Sequence, residues 1–139
     1  MTIDPCFNLK LRQADRVLTS HYNAFLSESG IKVTQFSVLR VLWYMKCCSQ
    51  QELEKALLVD QATLTRSLKP LIREGYITRT PDSEDRRVML CSLSDDGKAL
   101  YKQAQKQWQQ AQKSVEKKLG ADVIQQLLNV SESLVEMKT

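Results

Sequence analysis

The sequence holds four thiols, Cys6, Cys47, Cys48 and Cys91, and a single imidazole, His21. A thiol becomes a nucleophile or a redox centre where its thiolate is favoured, at a helix N-terminus or beside a cation. Asp4 followed by Pro5 reads as a helix start: a capping carboxylate, then a residue whose missing N–H costs nothing there. That start places Cys6 in a first helical turn, with Lys10 one turn on and Asp4 opposing. A catalytic thiol also needs an activating base. His21 lies fifteen residues away, about four helical turns. That is too far for a shared site, so an enzyme is not expected and Cys6 is left as a candidate redox sensor. Cys47-Cys48 is a vicinal pair expected at the end of a helix, one side chain buried and one exposed. Cys91 falls in a β-prone run and reads as a small buried hydrophobe. No His or acid stands at ligand spacing around Cys47-Cys48, so neither a metal nor a cofactor is expected.

A different chemistry gathers at 61–73 and 86–87. Gln61, Thr63, Thr65 and Arg66 open a helical pattern, and Lys69 and Arg73 follow one to two turns on. Gln pairs with adenine and Arg with guanine, while Thr offers a hydroxyl or a methyl. Lys69 and Arg73 suit phosphates. Arg86 and Arg87 end a polar run over 81–87 and suit a minor groove or the backbone. The net charge is +4 and uneven: residues 98–118 carry six Lys against Glu116 alone. This excess permits a polyanionic partner such as double-stranded DNA. No apolar run approaches the ~18 residues of a membrane span, and the first twenty residues lack a secretory core. No membrane association and a cytoplasmic location are therefore expected, without structural disulfides.

The elements that must position these residues are mainly helical. Phe7, Leu11, Ala14, Leu18, Tyr22 and Phe25 trace one face of a helix from about Pro5 to Ser29, closed by Gly30. Thr34 is expected to cap a second helix with Phe36, Leu39 and Leu42 or Trp43 inward. Ser49-Gln50-Gln51-Glu52 is a capping box, opening a short helix with Leu53, Ala56 and Leu57. Asp60 caps a fourth, with Leu64, Leu68, Leu71 and Ile72 inward and a bend expected at Pro70. Residues 76–80 and 88–93 are β-prone and form a hairpin with a polar loop. Ser94 starts a long helix with the stripe Leu100, Ala104, Trp108, Ala111, Val115 and Leu119. Val123, Leu127, Val130, Leu134 and Met137 form a heptad-like seam in a sixth, which wants a partner. Gly30, Gly75, Gly97 and Gly120 each fall at a change of pattern. The length fits one domain: mainly α with a small β-hairpin wing.

Helix, short helix, turn, helix and hairpin is the order of a winged helix-turn-helix, with the second short helix in the major groove. The run Thr63-Leu64-Thr65-Arg66-Ser67-Leu68-Lys69-Pro70-Leu71-Ile72-Arg73-Glu74-Gly75-Tyr76-Ile77 resembles the recognition segment of MarR-family transcription regulators. Asp82-Ser83-Glu84-Asp85-Arg86-Arg87, then Leu93-Ser94-Asp95-Asp96-Gly97, resembles the family's wing and the start of its next helix. Thr34-Gln35-Phe36-Ser37-Val38-Leu39 is similar to the opening of its second helix. The likeness covers essentially the whole chain. It implies a homodimer on a pseudo-palindrome, with 1–33 and 94–139 as dimerisation helices around a winged helix-turn-helix at 34–93. It also implies that Asp85 holds the wing loop while Arg87 reaches the minor groove.

Two forms of control follow from the resemblance. Cys6-Phe7 resembles the reactive-cysteine position of the organic-peroxide-sensing branch, and Tyr22 falls on one of that branch's tyrosines; Lys10 replaces the other. Alternatively a small effector, an aromatic acid or a lipophilic drug, would sit between the first helices and the winged helix, against Arg12, Arg16, His21, Trp43 and Tyr44. The competing readings are a thiol-based redox protein and a helical adaptor without DNA binding.

Overall fold

A computed structural model describes residues 3–138. Helix α1 (Phe7–Leu26) runs into a 3-10 turn, Ser27–Ser29, stopped by Gly30 at φ +72°. Then follow α2 (Val33–Met45), β1 (Cys47–Ser49), α3 (Gln50–Leu57), α4 (Gln61–Arg73), β2 (Ile77–Pro81), β3 (Met89–Leu93), α5 (Asp95–Leu119) and α6 (Ala121–Val135). The chain is mainly α-helical with a small antiparallel sheet in the order β1-β3-β2.

Several boundaries differ from the sequence reading. Helix α1 begins at Phe7, so Asp4 does not cap it, and Cys6 is the extended N-cap residue rather than part of the first turn. Its carbonyl accepts from Lys10 N–H at 3.0 Å. Helix α2 starts before Thr34 because two earlier donors find side-chain acceptors. Val33 N–H reaches Asn23 Oδ1 at 2.8 Å, and Lys32 N–H reaches Gln35 Oε1 at 3.0 Å. Cys47-Cys48 does not end that helix: Lys46, at φ +69°, breaks the chain into β1. The strand pairs with β3 and sets Cys48 directly opposite Cys91. A three-residue strand has too little sequence to show a period, and only β3 makes it one. As expected, Cys48 is buried and Cys47 exposed. Ala56 is exposed: α3 is anchored by the buried Leu53 and the half-buried Leu57. Helix α4 carries through Pro70 to Arg73.

The core forms where α2, α3, α4, the sheet and the first half of α5 meet: Phe36, Leu39, Leu42, Leu53, Leu64, Leu68, Leu71, Ile77 and Tyr101 are all within 2% of full burial. Outside it the packing thins. Phe7, Leu11, Ala14 and Leu18 of the predicted α1 face are exposed, and Tyr22 and Phe25 are half-buried. Every apolar residue of the predicted α6 seam is exposed, and Met137 lies beyond the end of the helix.

Candidate nucleic-acid interface

Local hydrogen bonds fix the two short helices. Ser49 Oγ accepts from Glu52 N–H at 3.1 Å while Glu52 Oε1 accepts from Ser49 N–H at 3.0 Å, the reciprocal box that opens α3. Leu58 ends α3 in a left-handed conformation, φ +56°, and turns the chain. Asp60 then caps α4 by accepting from Thr63 N–H at 2.7 Å. That bond favours the carboxylate and holds Asp60 below the usual carboxylate range.

Between these ends α4 is two-sided. Leu64, Leu68 and Leu71 are buried, and Gln61, Thr65, Arg66, Lys69 and Arg73 are exposed along the opposite stripe. Thr63 is half-buried, and its hydroxyl oxygen accepts from Arg66 Nη2 at 3.4 Å. Gln50 Nε2 donates to Thr65 Oγ1 at 3.2 Å. Arg73 pairs loosely with Glu74 at 3.6 Å.

The wing is a hairpin whose turn is closed by Asp82 N–H to Val88 O at 2.8 Å and Val88 N–H to Asp85 O at 2.9 Å. Asp85 Oδ1 accepts from Arg87 N–H and Nε, and Oδ2 from Nη2. The guanidinium holds the Asp85 carboxyl below its ordinary range, and the carboxylate raises Arg87 in turn. Arg86 is exposed at the same turn. A polar groove of ≈ 320 Å³ separates wing from helices, lined by Gln50, Gln61, Arg79, Arg87 and Met89 among others. Sequence reasoning missed Gln50 and Arg79. No motif marks them; the β2–β3 register and the α3–α4 turn bring them to the groove.

The predicted effector residues divide. Trp43 joins an aromatic stack, lying 4.9 Å from Tyr101, and Phe36 spans Tyr101 and Trp108 at 5.4 and 5.6 Å, while Tyr44 stays exposed outside it. The Arg40 guanidinium sits 4.7 Å from the Trp108 ring and 5.7 Å from that of Tyr44. The buried Tyr101 hydroxyl has no hydrogen-bond partner among the described residues. Burial pushes it above the usual phenol value, Tyr44 adding to the shift and Arg40 opposing it. His21 stands elsewhere. Its Nε2 lies 3.1 Å from Ser114 Oγ and its ring 5.1 Å from Phe25, on a largely apolar cleft of ≈ 740 Å³ between α1, α5 and α6. Arg12 and Arg16 are exposed on α1 and line neither feature. Among the described residues no group of three His, Cys, Asp or Glu is placed to hold a metal, and no helix is long and apolar enough to cross a membrane.

A capped second helix with a polar outer stripe, and beside it a hairpin tipped by arginine, define a winged helix-turn-helix protein. The sequence matches the MarR family model over residues 31–89. It is 37% identical over 114 residues to the multiple antibiotic resistance protein MarR of Salmonella typhimurium, covering 81% of this chain and 76% of that one. It is 33% identical over 94 residues to the organic hydroperoxide resistance transcriptional regulator of Bacillus subtilis, covering 68% and 64%. A crystal structure of an E. coli MarR mutant complexed with operator DNA superposes with TM-score 0.83 at 28% identity, covering 91% of each chain. The M. tuberculosis transcriptional regulator MosR in complex with DNA gives 0.83 at 27%, covering 97% and 100%. The chain belongs to the MarR family of DNA-binding transcriptional regulators, and is a regulator rather than an enzyme.

Proposed function

We propose that the chain is a cytoplasmic homodimer that reads a pseudo-palindromic operator, one winged helix per half-site. The observation that carries this is the shared groove: Gln61 at the start of α4 and the Asp85-braced Arg87 border one polar cleft, and Gln50 and Arg79 in its wall also border the adjoining surface lined by Thr65, Lys69 and Arg73. In this reading α4 enters the major groove with Gln61, Thr63, Thr65 and Arg66 towards base edges and Lys69 and Arg73 towards phosphates. Arg87, with Arg86, takes the minor groove or backbone, and Asp85 keeps the wing in shape. The two neighbours crystallised with DNA support the placement.

The dimer is supported by apolar surface that one chain leaves uncovered. Phe7 and Val17 of α1 and Leu127, Leu128, Leu134 and Val135 of α6 are between 38% and 80% exposed. Val17 and Leu127 line one cleft between α1 and α6, and clustered exposed apolar side chains mark an interface.

Control of DNA affinity is proposed through one of two inputs. An anionic aromatic effector fits the Arg40, Tyr44 and Trp108 surface with the unpaired Tyr101 hydroxyl behind it. Cys6, exposed at the α1 N-terminus, is the thiol placed for oxidation, and the Bacillus subtilis relative is named for hydroperoxide resistance. Neither input calls for a metal or a resident cofactor.

Fluorescence anisotropy with the protein's own upstream DNA, against a scrambled duplex over a range of salt, tests the reading. Binding that is tighter for the upstream DNA and falls with salt, by about 0.9 in log–log slope per phosphate contact, is expected. Equal, weak binding to both duplexes would leave the redox-protein or adaptor readings in its place.

A further inference from the structure

The recognition helix and the long helix α5 meet at a joint that the groove description does not use. Helix α4 ends in a Schellman closure: Tyr76 N–H donates to Leu71 O at 2.9 Å and Gly75 N–H to Ile72 O at 3.0 Å. Gly75 takes the left-handed conformation, φ +81°, that this closure requires. The carbonyls that emerge from it point at the start of α5. Ser94 N–H donates to Tyr76 O at 3.0 Å. The Ser94 hydroxyl lies 2.5 Å from Gly75 O and 3.2 Å from Tyr76 O, and it accepts from Gly97 N–H at 3.0 Å, capping α5. Gly97 is buried, and a Cβ there would stand 2.0 Å from Tyr76 O. Gly97 is therefore not a punctuation mark between elements. It is the contact point of two backbones.

We infer that Ser94 and Gly97 are positioning residues for operator reading: they fix the angle between the recognition helix and α5, and so set the distance between the two recognition helices of a dimer. This rests on the dimeric DNA-binding reading above. Helix α5 spans 25 residues, about 37 Å. Its first turns pack on the winged helix, through Leu100, Tyr101 and Ala104, and its later turns hydrogen-bond to α1 through Gln112 and Ser114. It is the strut between the DNA-reading lobe and the terminal helices. The joint has no slack. A Cβ essentially never comes within 3.0 Å of another heavy atom, so a methyl at Gly97 must move one backbone from the other by about 1 Å. Two-fold symmetry repeats that displacement in the partner copy, against a rise of about 3.4 Å per base pair.

The test has two readouts. In the first, wild type, Gly97→Ala, Ser94→Ala and Ser94→Thr are bound to duplexes whose half-site spacing is stepped by one base pair at a time. Wild type should prefer one spacing by at least about tenfold. Gly97→Ala and Ser94→Ala should lose most of that preference or move it by a base pair, with the base preference inside each half-site unchanged. Ser94→Thr, which keeps the hydroxyl, should retain it. In the second, spin labels at Lys69 of α4 and Gln109 of α5, with the exposed Cys6 and Cys47 replaced by Ser and the labelled chain diluted into an excess of unlabelled chain, report the interhelix distance within one chain. That measurement needs neither DNA nor a partner. It should be narrow in wild type and Ser94→Thr, and displaced or broadened in the other two. If no duplex is bound by wild type, the DNA-binding reading fails while the distance still tests the joint. If folded Gly97→Ala and Ser94→Ala keep the wild-type distance, or lose affinity equally at every spacing, the positioning role is overturned.

Discussion

Asp85 and Arg87 close a ring at the tip of the wing. The carboxylate accepts from Arg87 Nε at 3.0 Å, from Nη2 at 3.1 Å and from the Arg87 backbone N–H at 3.1 Å. The arginine is thus held by its neighbour two residues back while the rest of its side chain is exposed. A side chain so braced loses less freedom on meeting DNA than a free one.

Arg87→Ala should weaken binding to every duplex tested and lower the salt slope by about 0.9, the value of one phosphate contact. Asp85→Asn should weaken binding less, and leave the thermal midpoint of this exposed turn nearly unchanged. The pH dependence has a definite sign. The Asp85 carboxyl is held below its ordinary range in the folded wing, so the brace is intact above that range and is lost as pH falls through the lowered value. Arg87 Nε–H exchange followed by NMR down to acid pH checks this.

Arg66 should behave differently from Arg87. It stands on the exposed stripe of α4 nearly two turns from the Asp60 cap, where a bidentate contact with guanine is worth about 1–3 kcal/mol of discrimination. Arg66→Ala should lose more affinity for the operator than for random DNA. An equal loss on both would make Arg66 a phosphate contact.

Leu134 is 42% exposed on α6, in line with Leu127 and Val130. Leu134→Glu places a charge in the seam that the proposed dimer buries. The variant should sediment with a lower dimer fraction at micromolar concentration and bind the operator correspondingly less well. A wild-type chain that sediments as a folded monomer would sink the dimer.

The thiols should separate into two classes. Cys6 and Cys47 are exposed and should alkylate in the native state, while Cys48 and Cys91, buried opposite one another between β1 and β3, should react only on unfolding. Burial, chiefly, pushes the Cys48 thiol up to about 11 from an ordinary value near 9. The folded state therefore keeps its proton where the unfolded chain has lost it. Stability is full below about pH 9 and declines towards pH 11, by about 2–3 kcal/mol for this group. Denaturant midpoints measured from pH 8 to 11 should fall accordingly, and Cys48→Ala should flatten the fall. For Cys6 the matching experiment is a gel-shift titrated with an organic hydroperoxide. Release of DNA from wild type and not from Cys6→Ser is expected if Cys6 oxidation is the input; equal release from both would move the oxidation to another group such as the exposed Cys47, and no release from either would point to the Arg40 surface.

Much of this protein was legible from short-range chemistry. The Ser49 box, the Asp60 cap on Thr63, the Ser94 cap on Gly97 and the buried Leu64, Leu68 and Leu71 of α4 are all set by residues within a few positions of one another. So is the Asp85–Arg87 brace. The family likeness rested on the same runs, so the fold and the exposed polar stripe of α4 followed from them. Only the tertiary structure decided what depends on distant partners. Strand β1 exists because β3 offers it a ladder, which turns Cys48 towards Cys91 rather than leaving it at a helix end. Helix α2 starts at Val33 because Asn23, ten residues earlier, supplies an acceptor. Gln50 and Arg79 reach the groove through packing, with no local pattern to mark them. Gly97 reads in sequence as a break and is in fact the site where Tyr76 O leaves no room for a Cβ. Local hydrogen bonding fixes which elements form; the register of β1 on β3 and the contact of α5 with the end of α4 fix where they stand.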